Sequence, residues 1–351
     1  MTPHHSPTSG AGRALDLPAL ARTALYRDVW GGRVPAGVED APPVSVWQWR
    51  RHVHTEARRS LTGAPAVWVL YPIPGDDPIW IPLGPADIET GAALVGTTIA
   101  AAGVTPGDTV LAVAPGAPVA GNLLPYLLSS ADRLRSFDAP TSVQGVSVFP
   151  LSLSTVGYKP DLVVFPLSRR PSVIAGTSAD VAGLMELARR AGVTPPRFRL
   201  ALLVTPPAGL HDAELADATA NLLYLPGLFA PIGGRPGRPE VWLPAETATA
   251  ELIRDDEWGR AVRDLSRVPA IRALTETQGE SGELVITVHN AALPVVRMRT
   301  AIRVRVAEPG PTGAWLEILS RAPGRAADPV AAFTPAPNHS LRSGSGQANR
   351  R

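Results

Sequence analysis

Short apolar runs alternate with helical patterns along the first two thirds of the chain. β-favouring apolar runs occur at 67–71, 79–81, 109–114, 145–150, 162–165 and 198–204. Helical patterns cover 87–102, 123–134, 178–191 and 211–220. Asp87 is the predicted N-cap of the first of these helices. Because strands alternate with helices, the pattern predicts a largely parallel α/β sheet.

The N-terminal region has a different pattern. Residues 1–14 are rich in Ser, Pro, His and Gly, which predicts a disordered tail. Helical patterns then follow at 17–30 and 44–60. Arginines decorate the second of these helices, and a solvated helix face explains them more simply than a nucleic-acid patch.

From residue 240 onward the pattern becomes that of antiparallel strands. Between 296 and 306 apolar positions alternate strictly with polar ones, and the polar positions include Arg297, Arg299, Arg303 and Arg305. Such an arginine ladder could hold a carboxylate or phosphate ligand. An exposed sheet face whose arginines pair with acids such as Glu283 is the interpretation we favour.

Composition narrows the class of protein. The chain has 351 residues, is 45% hydrophobic and carries a formal net charge of only +2. This excludes a strongly basic nucleic-acid binder and predicts a globular protein. There is no cysteine, so disulfides and thiolate metal sites are excluded. No signal-peptide pattern or long apolar run is visible, so we expect a cytoplasmic protein without membrane contact.

Several motifs carry a family resemblance. The segment 87–110, the Gly-Glu-Leu-Val run at 282–285, the Leu-Pro-x-x-Arg segment at 293–300 and the Gly-Arg pair at 324–325 stand out. Together they resemble the phenylacetate–CoA ligase branch of the adenylate-forming (acyl-CoA synthetase) superfamily. The resemblance covers roughly residues 24–328 and also includes the Lys-Pro turn at 158–161.

The resemblance implies a fold class and a domain arrangement. It implies an α/β fold, the large N-terminal domain of an adenylate-forming enzyme, with mostly parallel sheet layers flanked by helices and a β-rich C-terminal end. We expect that domain at 15–328, its β-rich part at about 240–320, and a disordered tail at 329–351. The family's small C-terminal catalytic domain has no counterpart in this sequence.

Four groups that adenylation requires in the family are replaced at the matching positions. A Ser/Thr/Gly-rich phosphate loop ending in lysine is expected upstream of residue 87, where the chain has Pro74, Gly75, Asp76, Asp77 and Pro78. The magnesium-binding glutamate of the Tyr-Gly-x-x-Glu segment would fall at 229–230, which are Phe and Ala. Ile302 stands where the family has a ribose-binding aspartate. The catalytic lysine belongs to the absent domain, and Lys159 is the only lysine.

These departures predict a degenerate ligase-like protein without adenylation activity of its own. It would bind a small acid, an acyl group or a partner protein as an accessory factor in a bacterial pathway. We predict no cofactor; ATP, Mg²⁺ and CoA enter only if the alternative holds, an active carboxylate–AMP/CoA ligase or an enzyme that reuses the acyl pocket for transfer or condensation. A homodimer, or a pairing with a full-length ligase or carrier protein, fits the first interpretation.

Candidate ligand-binding residues follow from the resemblance. Leu223, Tyr224, Phe229 and Arg299 would form the pocket wall, and Arg325 belongs to the hinge-like Gly-Arg segment. No catalytic residue is assigned and no metal site is predicted. His52 and His54 diverge if they lie on a helix, and the Asp76–Asp77 pair is better explained as part of a solvated turn. His211 begins a helical pattern, where a helix cap and an acid–base group explain it equally well.

Overall fold

A computed structural model describes residues 14–73, 76–114, 146–153, 160–204, 216–257, 260 and 269–321. Within them the chain forms a two-stranded hairpin, a mainly parallel sheet and an antiparallel sheet. The strands are β1 Val67–Ile73, β2 Asp76–Leu83, β3 Thr109–Ala114, β4 Ser147–Ser152, β5 Val173–Thr177, β6 Leu200–Val204, β7 Thr219–Leu223, β8 Ile232–Gly233, β9 Glu240–Pro244, β10 Thr249–Arg254, β11 Ile271–Ala273, β12 Ser281–Val288, β13 Val295–Gly310 and β14 Gly313–Arg321.

The first six-stranded sheet has the order β4-β3-β5-β6-β7-β8, and only β8 runs antiparallel to its neighbour. Its central strands are buried on both faces, as continuous apolar runs predict. In β3, Val110 and Ala112 face one core cluster while Leu111 and Val113 face the other.

Helices cover both faces of this sheet. The described helices are α1 Leu17–Arg22, α2 Ala24–Val29, α3 Val46–Trp49, a π-helix at Arg50–His54, α4 Ala57–Ser60, α5 Pro85–Ala101, a 3₁₀ turn at Pro160–Val163, α6 Val164–Ser168, α7 Ser178–Arg190 and a second 3₁₀ turn at Leu274–Glu276. Helix α5 packs on one face through Val95 and Ile99. On the other face, α7 packs through Val181 and Leu184.

The second sheet has the order β11-β10-β12-β13-β14-β9 and is antiparallel throughout. The buried apolar positions of β13 join the same core cluster as α5 and the hairpin. The two sheets and the N-terminal helices therefore share one hydrophobic core. This architecture confirms the predicted fold class.

A buried carboxylate ties the amino ends of three parallel strands together. Asp108, just before β3, accepts hydrogen bonds from the Thr105 amide at 2.7 Å and the Ser172 hydroxyl at 2.7 Å, and it pairs with Arg199 just before β6. Burial acts to raise the pKa of Asp108, but these hydrogen bonds outweigh it and the pKa is lowered. The Thr-Pro-Gly-Asp segment therefore has a structural role here.

Two predicted elements are wrong. The run at 162–165 is helical, not a strand: Val163 and Leu167 are buried four residues apart while Leu162, Val164 and Phe165 are exposed, which is a helical period. The described end of the predicted 211–220 helix is also extended, since Ala216 forms a bridge with Phe198 and β7 begins at Thr219.

Helix boundaries also differ from prediction at the N-terminus. The predicted helix at 17–30 breaks at Thr23, whose extended backbone and hydroxyl cap the start of α2. The predicted helix at 44–60 is divided into α3, the π-helix and α4. Residues 1–13, 74–75, 115–145, 154–159, 205–215, 258–259, 261–268 and 322–351 lie outside the description, and with them the predicted helix at 123–134, Lys159, His211, Arg325 and the tail at 329–351. No helix in the described ranges is both long and apolar enough to cross a membrane.

Candidate ligand site

The hairpin β1–β2 occupies the place where the family resemblance puts a phosphate loop. Its strands pair as far as Ile73 and Asp76, so only Pro74 and Gly75 separate them. The predicted loop at 72–78 is therefore shorter than expected. The strand continues through Pro72 because the register shifts there, and a bulge tolerates a residue without an N–H group.

Side chains from the helical segment before the hairpin form hydrogen bonds with the backbone of β2. The indole Nε1 of Trp49 donates to the Trp80 carbonyl at 2.9 Å, and the Trp80 amide donates to His54 Nε2 at 3.0 Å. Burial lowers the pKa of His54, and Arg50 lowers it further. His54 is thus a neutral acceptor that completes a sheet edge.

Helix α5 begins three residues earlier than predicted. Gly84 is the N-cap, and Asp87 is the third helical residue rather than the cap. The Asp87 carboxylate accepts from the Gly84 amide at 2.7 Å and from the Ala291 amide at 3.0 Å. An anion-binding helix start is therefore already occupied by the protein's own carboxylate.

The segment after β7 contains most of the predicted pocket wall. Leu223 and Tyr224 are buried, and Phe229 is partly buried against the core. Phe229 lies directly on α5, since a Cβ atom at Gly91 would come within 2.6 Å of the Phe229 Cβ.

Hydrogen bonds fix this segment to its surroundings. The Tyr71 hydroxyl on β1 donates to the Leu228 carbonyl at 2.6 Å, and the Thr98 hydroxyl on α5 donates to the Pro231 carbonyl at 3.1 Å. Burial raises the pKa of Tyr71, and the neighbouring Tyr224 and Asp87 raise it further. Tyr71 therefore stays protonated and acts as a donor.

Asn290 was not among the predicted site residues. It is buried, and its side-chain nitrogen has no hydrogen-bond partner among the described residues. A methyl group at Gly227 would lie 3.1 Å from that nitrogen. An amide donor thus faces the segment after β7. Its only sequence signal was a polar residue within an apolar hairpin region.

Arg299, the cationic residue of the predicted wall, pairs with an acid. Its Nη2 donates to the Glu283 carboxylate at 2.7 Å. Val295, four positions earlier on β13, packs at Gly227.

Each arginine of the predicted ladder has an acidic partner. Arg297 pairs with Glu251, Arg299 with Glu283, Arg303 with Asp255, and Arg305 with Glu317. The paired-face interpretation is thus the correct one. Arg297 differs from the prediction because it is buried, with a left-handed φ of 46°.

The buried Arg297 guanidinium organises the N-terminal segment. Besides its two bonds to Glu251, at 2.9 Å each, it donates to the carbonyls of Glu39 at 2.6 Å and Ala41 at 2.8 Å. Three residues on, Val44 exchanges backbone hydrogen bonds with β13. The ladder's most buried member is therefore a structural clamp.

Apolar side chains occupy the two other positions where the family resemblance implies carboxylates. Ala230 is fully buried and Ile302 is 4% exposed. Neither can coordinate a metal ion or accept hydrogen bonds from ribose. No three His, Asp or Glu side chains of the described residues are close enough to hold a metal ion. His52 instead pairs with Asp28, 2.9 Å away.

Comparisons with known proteins identify the fold. No protein-family model matches the sequence, and no curated protein matches it. Among solved structures, 2-hydroxyisobutyryl-CoA ligase with 2-HIB-AMP and CoA in an open conformation aligns with a TM-score of 0.62 and 17% identity, over 87% of this chain and 67% of the ligase. The same ligase in its postadenylation state with R3-HIB-AMP gives 0.63 and 17%, over 87% and 65%.

A second kind of enzyme shares the fold. The AtGH3.15 acyl acid amido synthetase in complex with 2,4-DB aligns with a TM-score of 0.54 and 12% identity, over 87% of this chain and 66% of the synthetase. The chain thus spans about two thirds of the length of these enzymes. At such identities the likeness establishes the fold, that of the N-terminal domain of adenylate-forming enzymes.

Proposed function

We propose that this protein is a ligase-like accessory factor that binds a small carboxylic acid or acyl group and does not activate it with ATP. The observation that carries the proposal is the β1–β2 hairpin. A phosphate cradle needs several consecutive backbone N–H groups turned onto the anion. A two-residue connection of proline and glycine offers one N–H at most, with Asp76 and Asp77 following.

The groups around the hairpin support the same proposal. Adenylation brings a carboxylate against a phosphate, so the site must supply positive charge or a metal ion. Ala230 and Ile302 supply neither, and Arg297, Arg303 and Arg305 on β13 are each paired with an acid. Removing a single such group costs roughly 10²–10³ in rate in enzymes of this kind of chemistry.

Acid binding has its own support. We propose Leu223, Tyr224 and Phe229 as a largely apolar wall and the buried Asn290 amide, which has no partner among the described residues, as a donor to the ligand. Apolar walls with few polar groups are typical of small-molecule sites. Arg299 and Arg325 are the cationic residues we propose for the carboxylate, and Arg299 would exchange Glu283 for the ligand.

Calorimetry with two ligands tests the proposal. Titration with Mg·ATP should give no heat above dilution, because the described residues around the hairpin offer no cradle for a triphosphate. Titration with phenylacetate or 2-hydroxyisobutyrate should give a saturable signal. Arg299→Gln should abolish the acid signal, whereas Arg305→Gln, a matched change at the exposed end of the ladder, should preserve it. Saturable Mg·ATP binding would overturn the proposal in favour of an active ligase.

A further inference from the structure

A short segment on the far side of the parallel sheet exposes apolar side chains beside two arginines. Among the described residues four large apolar side chains are exposed, and three of them lie here: Phe165 at 55%, Leu162 at 46% and Val164 at 38%. Arg169 and Arg170 follow directly and are also exposed. We call Leu162, Val164, Phe165, Arg169 and Arg170 the 162–170 patch.

The exposure is not a sign of a poorly packed helix. The same turn buries Val163, Pro166 and Leu167, and Val163 and Leu167 belong to the core cluster beneath α7. Phe165 also meets Phe149 of β4 edge to face, with ring centroids 6.1 Å apart. The outward face is therefore presented by a helix that is firmly anchored on its inward face.

Neither arginine of the patch is paired with a carboxylate of the described residues. The Arg169 guanidinium lies 4.8 Å from the centre of the Phe165 ring, a cation–π contact that fixes it beside the apolar surface. Arg170 has a left-handed φ of 51° at the position after the helix, where glycine is usual. Neither has an acidic partner among the described residues, unlike the four arginines of the ladder.

We propose that the 162–170 patch is a docking surface for an acidic amphipathic helix of another protein. The apolar row of that helix would cover Phe165 and Leu162, and its carboxylates would pair with Arg169 and Arg170. A strained backbone position occupied by arginine is the kind of feature that binding sites retain. Aromatic residues and arginine are also the side chains most enriched in the energetic centres of interfaces.

The charge of the patch favours an acidic helix over two other partners, a second copy of this chain and an anionic lipid surface. A second copy of this chain would bring its own two arginines against these two in an isologous dimer, which places four like charges together. An anionic lipid surface would attract the arginines but does not require them in fixed positions. The Arg169 guanidinium, which the Phe165 ring orients, is preorganised for an acceptor at a fixed position, as on a folded helix.

Fluorescence anisotropy with a defined probe tests the docking surface. The probe is a labelled helical peptide of about 18 residues with leucines at i, i+3, i+4 and i+7 and glutamates elsewhere; a second peptide has lysines in place of the glutamates. The full chain should bind the acidic peptide and not the basic one. The double variant Arg169→Glu/Arg170→Glu, and separately Phe165→Ser, should each weaken binding at least about tenfold.

Controls make each outcome decisive. Arg33→Glu changes the charge of another exposed arginine without an acidic partner in the described structure, and it should leave binding within about twofold. Equal binding of both peptides, equal loss in Arg33→Glu, or no binding at all would overturn the proposal. So would patch-dependent sedimentation with phosphatidylserine vesicles in the absence of peptide binding. The result is independent of acid binding, so it can fail while the proposed function stands.

Discussion

Individual side chains show how strongly context decides the role of an arginine. Arg297, Arg303 and Arg305 share one strand and one sequence pattern, yet Arg297 is buried among carbonyls and Glu251 whereas Arg305 is half exposed beside Glu317. Alternation predicted that these arginines share a face. It did not predict the left-handed backbone at Arg297, which turns that side chain into the N-terminal segment.

Breaking the Arg297 pair should be costly. In Glu251→Ala a buried guanidinium loses its counter-charge, and the free energy of unfolding should fall by about 3–5 kcal/mol. Urea denaturation measures this. The matched control is Glu317→Ala, whose partner Arg305 is 49% exposed, and it should lose less than about 1 kcal/mol. Equal losses in the two variants would contradict the clamp role of Arg297.

Replacing Arg170 by glycine should stabilise the protein. A non-glycine residue in the left-handed region is destabilised by roughly 1–2 kcal/mol. Glycine removes this strain, but its larger loss of chain entropy on folding offsets roughly 0.5–1 kcal/mol of the gain. Arg170→Gly should therefore raise the free energy of unfolding by about 0.5–1 kcal/mol. Arg169→Gly, at a right-handed position one residue earlier, should lower it. If both variants are destabilised, the backbone at Arg170 is not strained.

Secondary-structure elements were predictable where the apolar period was unambiguous. Strands β3 and β6 and helix α7 lie close to their predicted bounds because continuous runs or a Gly stop define them. The segment at 162–165 was predicted wrongly, since a four-residue apolar run fits a strand or a helix equally well. Strand β5 was missed for a related reason: Val-Ile-Ala-Gly-Thr is short and ends in small residues.

The ends of the parallel strands depend on Asp108, and this gives a pH-dependent prediction. Its pKa in the folded state lies below the ordinary value of 3.8, so its stabilisation is present above that pH and is lost as the pH falls through the folded-state pKa. Asp108→Asn should cost about 2 kcal/mol at pH 7. The difference in unfolding free energy between Asp108→Asn and the native protein should narrow below about pH 3.8.

Measuring the free energy of unfolding of both proteins at a series of acidic pH values gives this difference. Asp217→Asn is the matched control, because Asp217 also pairs with an arginine, Arg197, but both side chains are more than 60% exposed. It should behave like the native protein at every pH. A gap for Asp108→Asn that stays constant down to pH 2 would mean that its charged form carries no special stabilisation.

At the scale of the whole molecule, the architecture was predictable and the site only in part. The alternating strands and helices and the later antiparallel run predicted the fold class. Whether Arg299 reaches the other predicted wall residues could not be predicted from the sequence, because its position relative to them depends on strand register. Tyr71 and Asn290 were missed, since their role depends on contacts between segments far apart in the chain.

The central claim is that this ligase fold cannot hold a triphosphate. ATP–pyrophosphate exchange with the purified full chain tests it most directly, with phenylacetate, 2-hydroxyisobutyrate and a panel of other small acids, and with an intact acid–CoA ligase assayed in parallel. We predict exchange no higher than that of heat-inactivated protein for every acid. Acid-dependent exchange above that background would contradict the account.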